Sequence, residues 1–311
     1  MRNAFADEVL ELANEDDKLV LLTADIGNRL FDNFKERHGD RFFNCGIAEA
    51  NMTGVAAGLA LCGLRPITYT IAAFSTIRCI EQIRVDLCYH DLPATIIGVG
   101  GGLSYSPLGY THHANEDIAM MRSLPNMVVL SPIDQWELRG ALRVAQNHDG
   151  PVYIRIGKKG EPQIHNSVPD MKIGGSSKIR DGDDICILVA GTIMPNALLA
   201  ADLLKAQDVS CAVISCYSIK PLDENNLREI FDSSSLVVTL EEHSVVGGLG
   251  TAVADWMIKN IEDTKRFLRL GLPDEVIHRV GSQSFLQEKV KLDGASVAKR
   301  IFEHFKSLDI L

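Results

Sequence analysis

Short, nearly unbroken apolar runs alternate along this chain with longer stretches in which apolar residues recur every three or four positions. The runs of the first half are LVLLTA (19–24), PITYTI (66–71), ATIIGVG (94–100), MVVLSP (127–132) and PVYIRI (151–156). Apolar at consecutive positions, they predict strands of a parallel sheet that is covered on both faces. Between them, STIRCIEQIRVDLCY (75–89) and DQWELRGALRVAQNH (134–148) predict helices. Strands in regular alternation with helices give an α/β layered fold.

The rhythm stops at KKGEPQIHNSVPDMKIGGSSKIRDGDD (158–184), a polar stretch with Pro, Gly and Ser and no period. Such a stretch reads as a linker. It resumes with DICILVAG, a helix from about Pro195 to Ala206, SCAVISCYS, and then SLVVTLEEH before another helix. The expectation is two layered α/β domains: 1–160, a linker over 161–180, and a smaller second domain over 181–311, roughly 130 residues.

Composition narrows the function. With 31 basic and 41 acidic residues the chain carries a net charge of −10. That surface repels polyanions, which argues against nucleic acid and anionic membrane as partners and leaves room for one local cationic pocket. MRNAFADEVLELANEDD lacks the apolar core of a signal peptide, and no apolar run is long enough to span a bilayer. The seven cysteines are scattered and form no CxxC, which argues against a disulfide framework or a zinc site. Buried thiols in a reducing cytoplasm are the expectation.

Three stretches carry candidate chemistry. In NCGIAEANMTGVAAG (44–58), Glu49 is a lone acid opening a helix of small and apolar residues, with Gly54 and Gly58 one turn apart. It reads either as a solvent-facing first-turn acid that suits the helix dipole, or as a part-buried functional carboxylate beside a flat packing strip. GVGGGLSYSPLG (98–109) is a Gly-rich loop after a strand; it lacks the spacing of the common nucleotide motifs, so a phosphate cradle and a plain strand-end loop both stay open. THHANED (111–117) sets His112 beside His113. Adjacent side chains diverge, which disfavours joint metal ligation and favours one imidazole lining a pocket.

Taken together, LLTADIG (21–27), RFFNCGIAEANM (41–52), AAGLALCGLRPI (56–67), the loop ending in THH (111–113) and LPNMVVLSPID (124–134) resemble the transketolase family of thiamine-diphosphate enzymes. AGT (190–192), EEHSVVGGLG (241–250) and LGLPDEVI (270–277) extend the resemblance over the second domain. It covers only the C-terminal half of that family's chain. It implies a pyrimidine-binding domain followed by a transketolase C-terminal-type domain. Glu49 then matches the acid that hydrogen-bonds the cofactor's aminopyrimidine and so helps take the proton from thiazolium C2. Phe74 matches an aromatic that packs on that ring. Ile71 and Ile77 stand where the family carries further aromatics, and Asp25 matches an acid near the thiazolium side. His112 matches a histidine that contacts substrate hydroxyls or stabilises the intermediate.

Three positions depart from the family on the substrate side. Leu108 replaces an aspartate that binds sugar hydroxyls, Gly100 a second substrate-binding histidine, and Lys158 an arginine that holds a sugar phosphate. Lysine keeps the charge and loses the bidentate fork. The GDG motif and later Asn that bind Mg²⁺ and diphosphate are missing, since Gly182-Asp183-Asp184 reads as a turn before a strand. No metal ligand is therefore expected on this chain.

The resemblance implies the small subunit of a split transketolase-like enzyme that transfers a two-carbon ketol unit from a ketose to an aldehyde. Its partner, an N-terminal-type subunit carrying GDG and Asn, would complete an α₂β₂ heterotetramer and bind the Mg²⁺. Two rival readings are a decarboxylating relative, of the deoxyxylulose-phosphate synthase or 2-oxoacid dehydrogenase beta-subunit type, and a non-catalytic regulatory subunit.

Overall fold

A computed structural model describes residues 1–262 and 264–308. Twelve strands are assigned among these residues: β1 (Leu19–Thr23), β2 (Phe42–Asn44), β3 (Arg65–Ile71), β4 (Thr95–Val99), β5 (Val128–Leu130), β6 (Val152–Ile156), β7 (Ser177–Arg180), β8 (Ile185–Ala190), β9 (Cys211–Ser215), β10 (Ser218–Lys220), β11 (Leu236–Ser244) and β12 (Phe267–Leu272). They form a seven-stranded sheet, β10-β5-β6-β4-β3-β1-β2, and a five-stranded sheet, β12-β11-β8-β9-β7. Only the β10–β5 and β7–β9 pairs are antiparallel. Every residue of β1, β4, β6, β8, β9 and β11 is buried, as continuous apolar runs require of a sheet covered on both faces.

The five first-half runs became β1, β3, β4, β5 and β6, within one or two residues at each end. Three features of the sheets were not legible as runs. Phe42–Asn44 is a three-residue edge strand beside β1, too short to show a period. SCAVISCYS, which reads as one strand, is divided: β9 belongs to the second sheet, and β10 crosses to the first and pairs with β5. Tyr217, at the crossing, is fully buried, and its carbonyl accepts the Ser131 N–H at 2.7 Å. Inside the polar stretch, Ser177–Arg180 forms β7 against β9.

The two sheets share a core. Ile96, Met121, Val129 and Tyr153 of the first half lie in one apolar cluster with Leu188, Ile214, Val253 and Trp256 of the second. Polar contacts across the same junction are buried. Arg155 donates to Asp117 Oδ2 at 2.9 Å and to the carbonyls of Ala114 and Glu242 at 2.8 Å each. A buried guanidinium needs such full pairing, because an unpaired one is costly in a dry interior.

The helix expected over 75–89 is broken. It runs as α-helix over Ala72–Thr76, tightens to a 3₁₀ turn at Ile77–Cys79, and widens to π-helix over Ile83–Cys88. Ser75 and Thr76 both turn their hydroxyls back onto the Ala72 carbonyl, at 3.1 and 2.7 Å. Back-bonding of this kind bends a helix, and such irregular turns gather at functional sites.

Candidate functional site

The parallel strands β1, β2, β3, β4 and β6 all end on one side of the sheet. Asp25, Glu49, Phe74, Gly100 and Lys158 each follow one of these ends within a few residues. Ligands of open α/β sheets bind in the crevice outside these carboxyl ends.

Glu49 opens the helix Glu49–Leu61 and is 4% exposed, so the solvent-facing reading fails. The turn that delivers it is held by Asn44, whose Oδ1 accepts the N–H groups of Asp25 and Gly46 at 3.0 Å each. The Asn44 amide donates in turn to Asp25 Oδ1 at 2.9 Å. The ends of β1 and β2 are thereby tied, and the chain from Gly46 to Glu49 is aimed at the crevice. There Arg78 Nη1 donates to Glu49 Oε2 at 3.2 Å. The same guanidinium sits 3.8 Å from the centroid of the Phe74 ring. Phe74 and Arg78 are four residues apart, which puts them on one face of the helical stretch.

Contacts continue from Phe74. The His112 ring meets it edge-on at 5.1 Å, Tyr105 lies 6.1 Å beyond His112, and Lys158 Nζ is 4.5 Å from the Tyr105 ring centroid. Burial lowers the His112 pKa below its usual value, and the charges of Arg78 and Lys158 lower it further. At neutral pH the imidazole is therefore uncharged, with one nitrogen to donate and one to accept. Thr111 Oγ1 stands 3.0 Å from Nδ1. His113 points the other way, is 2% exposed, and packs on Tyr110 at 6.2 Å. The two adjacent histidines diverge.

The Gly-rich loop is an anchored support for Tyr105 and His112. The Gly100 and Gly101 N–H groups donate to the Ile156 carbonyl and the Gly102 N–H to that of Ala114. Leu103 N–H donates to Glu242 Oε1 at 2.8 Å. With these four donors used inside the protein, the phosphate-cradle reading of this loop is not supported. At Gly102, φ is +61° and a Cβ would fall 2.5 Å from the Glu242 carbonyl, so only glycine lets the loop lie on the second domain. Glu242 is buried and also accepts from the side chains of Gln283, at 2.8 Å, and Gln287.

Glu49, Phe74, His112 and Lys158 are thus brought together, with Arg78 and Tyr105 completing the line of contacts. Ile71 is buried behind the start of the Phe74 helix, and Ile77 is half-exposed. Asp25 is exposed and tied to Asn44, and Leu108 is exposed on its loop, so both lie outside that line. Gly100 has φ +75°, and the Tyr105 ring fills the space where its side chain would start. Sequence reading missed Asn44, Arg78 and Tyr105. The (i, i+4) spacing of Phe74 and Arg78 was a usable signal, whereas Asn44 acts through a turn that no period encodes. At Gly182-Asp183-Asp184, Asp183 N–H bonds Ser210 Oγ in a turn before β8. Among the described residues no group of three or more His, Cys, Asp or Glu is placed to hold a metal ion.

The Arg78 guanidinium lies over the Phe74 ring and donates to the Glu49 carboxylate, so one planar group reaches both. An aminopyrimidine is also flat, but its ring nitrogens accept, so it would pair with Glu49 only with a proton between ring nitrogen and carboxylate.

Residues 1–162 match the transketolase pyrimidine-binding domain, and residues 174–297 match the transketolase C-terminal domain. The chain is 36% identical over 309 residues to a putative transketolase C-terminal section of Methanocaldococcus jannaschii, covering 98% of this chain and 96% of that protein. It is 34% identical to the 6-deoxy-6-sulfo-D-fructose transketolase subunit SqwH of Clostridium sp., covering 97% and 94%. A solved split-gene transketolase, described as an inactive beta4 tetramer, superposes with a TM-score of 0.89 at 34% identity, covering 98% of each chain.

Proposed function

The chain belongs to the transketolase family, and from that premise we propose that it is the small subunit of a split, thiamine-diphosphate-dependent transketolase. The reaction is transfer of a two-carbon ketol unit from a ketose to an aldehyde acceptor. The observation that carries this reading is that the buried Glu49 carboxylate and the Phe74 ring are bridged by one planar group, the Arg78 guanidinium, in whose place a flat nitrogen-bearing ring would reach both. The domain limits of 1–160 and 181–311, joined by 161–180, are kept with one change: Ser177–Arg180 at the end of the joining stretch is strand β7 of the second sheet.

Thiamine diphosphate, when bound, supplies the carbanion-stabilising chemistry that no side chain provides. Glu49 would hold the ring nitrogen by a charge-assisted hydrogen bond, which a dry site strengthens. Phe74 would cover one face of the ring, and Ile71 and Ile77 would make its surroundings aliphatic. Asp25, by the family resemblance, would stand toward the thiazolium side. His112, neutral at pH 7, accepts from or donates to substrate oxygens and can move a proton there. Tyr105 and Lys158 form the acceptor end. Lys158 offers a positive charge for an anionic group, while Leu108 and Gly100 supply no hydroxyl-binding side chain.

The diphosphate and Mg²⁺ are assigned to a partner subunit with the GDG and Asn motif, in an α₂β₂ assembly located in the cytoplasm. An open apolar face supports the assembly: Ile47 is 78% and Leu61 66% exposed at the two ends of the Glu49 helix. All seven cysteines are free, in keeping with a reducing compartment. No described helix is long and apolar enough to cross a membrane.

The test is reconstitution. The chain alone should be nearly inactive with a ketose donor, an aldehyde acceptor, thiamine diphosphate and Mg²⁺. Addition of the partner should restore ketol transfer. Full turnover by the chain alone would refute the split arrangement, and release of CO₂ from pyruvate would move the assignment to the decarboxylating relatives.

A further inference from the structure

Arg78 makes both contacts that the site offers a flat nitrogen base. Its guanidinium lies 3.8 Å from the centroid of the Phe74 ring, a stacking distance, and its Nη1 donates to Glu49 Oε2 at 3.2 Å. A ring stacked on Phe74 and hydrogen-bonded to Glu49 cannot share that volume with it. The arginine is nevertheless free to leave: its side chain is 47% exposed, while Glu49 is 4% exposed. It also sits on the 3₁₀ turn Ile77–Cys79, which interrupts the α-helical segments Ala72–Thr76 and Ile80–Gln82.

We propose that Arg78 is a resident stand-in for the cofactor's aminopyrimidine: it fills the slot and neutralises the buried Glu49 until the ring displaces it. The proposal rests on the reading of this crevice as the thiamine-diphosphate site. The physical need is clear from burial. A carboxylate held out of water without a partner destabilises the folded chain, and a guanidinium on an aromatic face is a well-matched temporary partner. Cofactor binding is then an exchange of one partner of Glu49 for another with uptake of one proton from solvent, because the ring nitrogen and an ionised carboxylate both accept and a proton must lie between them. Its net affinity is reduced by the contacts Arg78 gives up.

The experiment compares wild type, Arg78→Ala and Arg78→Lys in complex with the diphosphate-binding partner, titrating thiamine diphosphate with Mg²⁺ by calorimetry. Arg78→Ala should bind the cofactor about three- to tenfold more tightly, the worth of one part-exposed ion pair and one cation–π contact. Arg78→Lys, which keeps the charge and cannot lie flat on the ring, should fall between. Melting of the chain alone supplies the second readout. Arg78→Ala should melt lower than wild type, and Arg78→Ala with Glu49→Gln should regain most of that loss, because no unpaired buried charge remains. Equal or weaker cofactor binding by Arg78→Ala would overturn the proposal, since Arg78 would then be a contact of the bound state or a purely structural residue. Failure of the wild-type complex to bind the cofactor at all would overturn the reading of the site and the proposal with it.

Discussion

The ring of Tyr105 occupies the place where a side chain at Gly100 would begin: a Cβ there would lie 2.2 Å from two of its ring carbons. The space beside Gly100 is therefore taken by a tyrosine from five residues further on. Tyr105 is almost wholly buried, and burial raises its phenol pKa against the opposing charge of Arg2. One ring thus meets both His112 and Lys158.

Tyr105→Ala should remove the wall between His112 and Lys158 and lower kcat/KM about tenfold, equivalent to ~1.4 kcal/mol of transition-state stabilisation. Tyr105→Phe keeps the ring and should retain most of that activity unless the hydroxyl itself binds substrate. Steady-state kinetics on both variants decide it, and wild-type kcat/KM in Tyr105→Ala would remove the tyrosine from the substrate pocket.

Lys158→Ala should raise KM for a phosphorylated substrate about tenfold with kcat nearly unchanged, the pattern of lost uniform binding. The comparison that matters is with the unphosphorylated analogue. Equal losses on the two would mean that Lys158 does not read the anionic group.

Glu49→Gln preserves shape and removes the charge that holds the ring nitrogen. Ketol transfer by the assembled enzyme should fall about 10²- to 10⁴-fold, the range for a lost acid–base function. Subunit assembly, followed by sedimentation, should persist. Retention of more than about a tenth of the wild-type rate would end the cofactor-activating role of Glu49.

Much of this site was legible because it lies at strand ends, and strand ends follow from apolar runs. LVLLTA, PITYTI, ATIIGVG and PVYIRI gave the strands whose ends Asp25, Phe74, Gly100 and Lys158 follow, although the residues themselves were singled out by the family resemblance and not by the runs. What the residues nearby do to one another was not legible. Arg78 reads as an ordinary helix-surface arginine until the Ser75 and Thr76 back-bonds bend the helix and the chain brings it over Phe74 beside Glu49. β10 was hidden because three residues carry no period, and its pairing with β5 depends on packing between distant segments. The Gly-rich loop misled for a related reason: glycine serves both to expose N–H groups and to permit close packing, and here Arg155 and Glu242 show it is packing.

A buried carboxylate away from the site predicts how stability depends on pH. Glu137 is fully buried; its carboxylate accepts the Ile133 N–H at 2.9 Å and the Ser215 hydroxyl at 3.0 Å, linking the two domains. Burial raises its pKa from 4.5 to about 7, with those hydrogen bonds and His165 opposing. A raised carboxyl contributes stability that is full below pH 4.5 and is lost as pH rises through about 7. Glu241, also raised to about 7, acts in the same direction. His243, lowered to about 4, opposes them, its contribution being lost as pH falls below 6.5. Glu137→Gln cancels one of these contributions. Relative to wild type it should gain on the order of 3 kcal/mol of unfolding free energy between pH 4.5 and pH 8. Denaturant unfolding at the two pH values measures it, and a difference independent of pH would show that Glu137 does not titrate on unfolding.

The helix that begins with Glu49 makes the remaining prediction. A Cβ built at Gly54 or Gly58 meets nothing within 4 Å, and Gly58 is exposed, so the strip between them is open in the single chain. Val55, 39% exposed, borders it, and Ile47 and Leu61 continue the same apolar character. An apolar face of this kind left in water is an association site. In the proposed assembly it lies against another chain, one turn beyond the catalytic acid. Gly58→Leu should therefore leave the chain alone folded, and even raise its stability by up to about 1 kcal/mol, because glycine is a poor helix former. The bulky side chain should instead cost about 1–3 kcal/mol or more where another helix has to approach closely. Sedimentation at micromolar concentration should show dissociation, and calorimetry of the mixture with the partner subunit should show weakened cofactor binding with Glu49 untouched. A variant that sediments as wild type and keeps its activity would place this helix away from the interface.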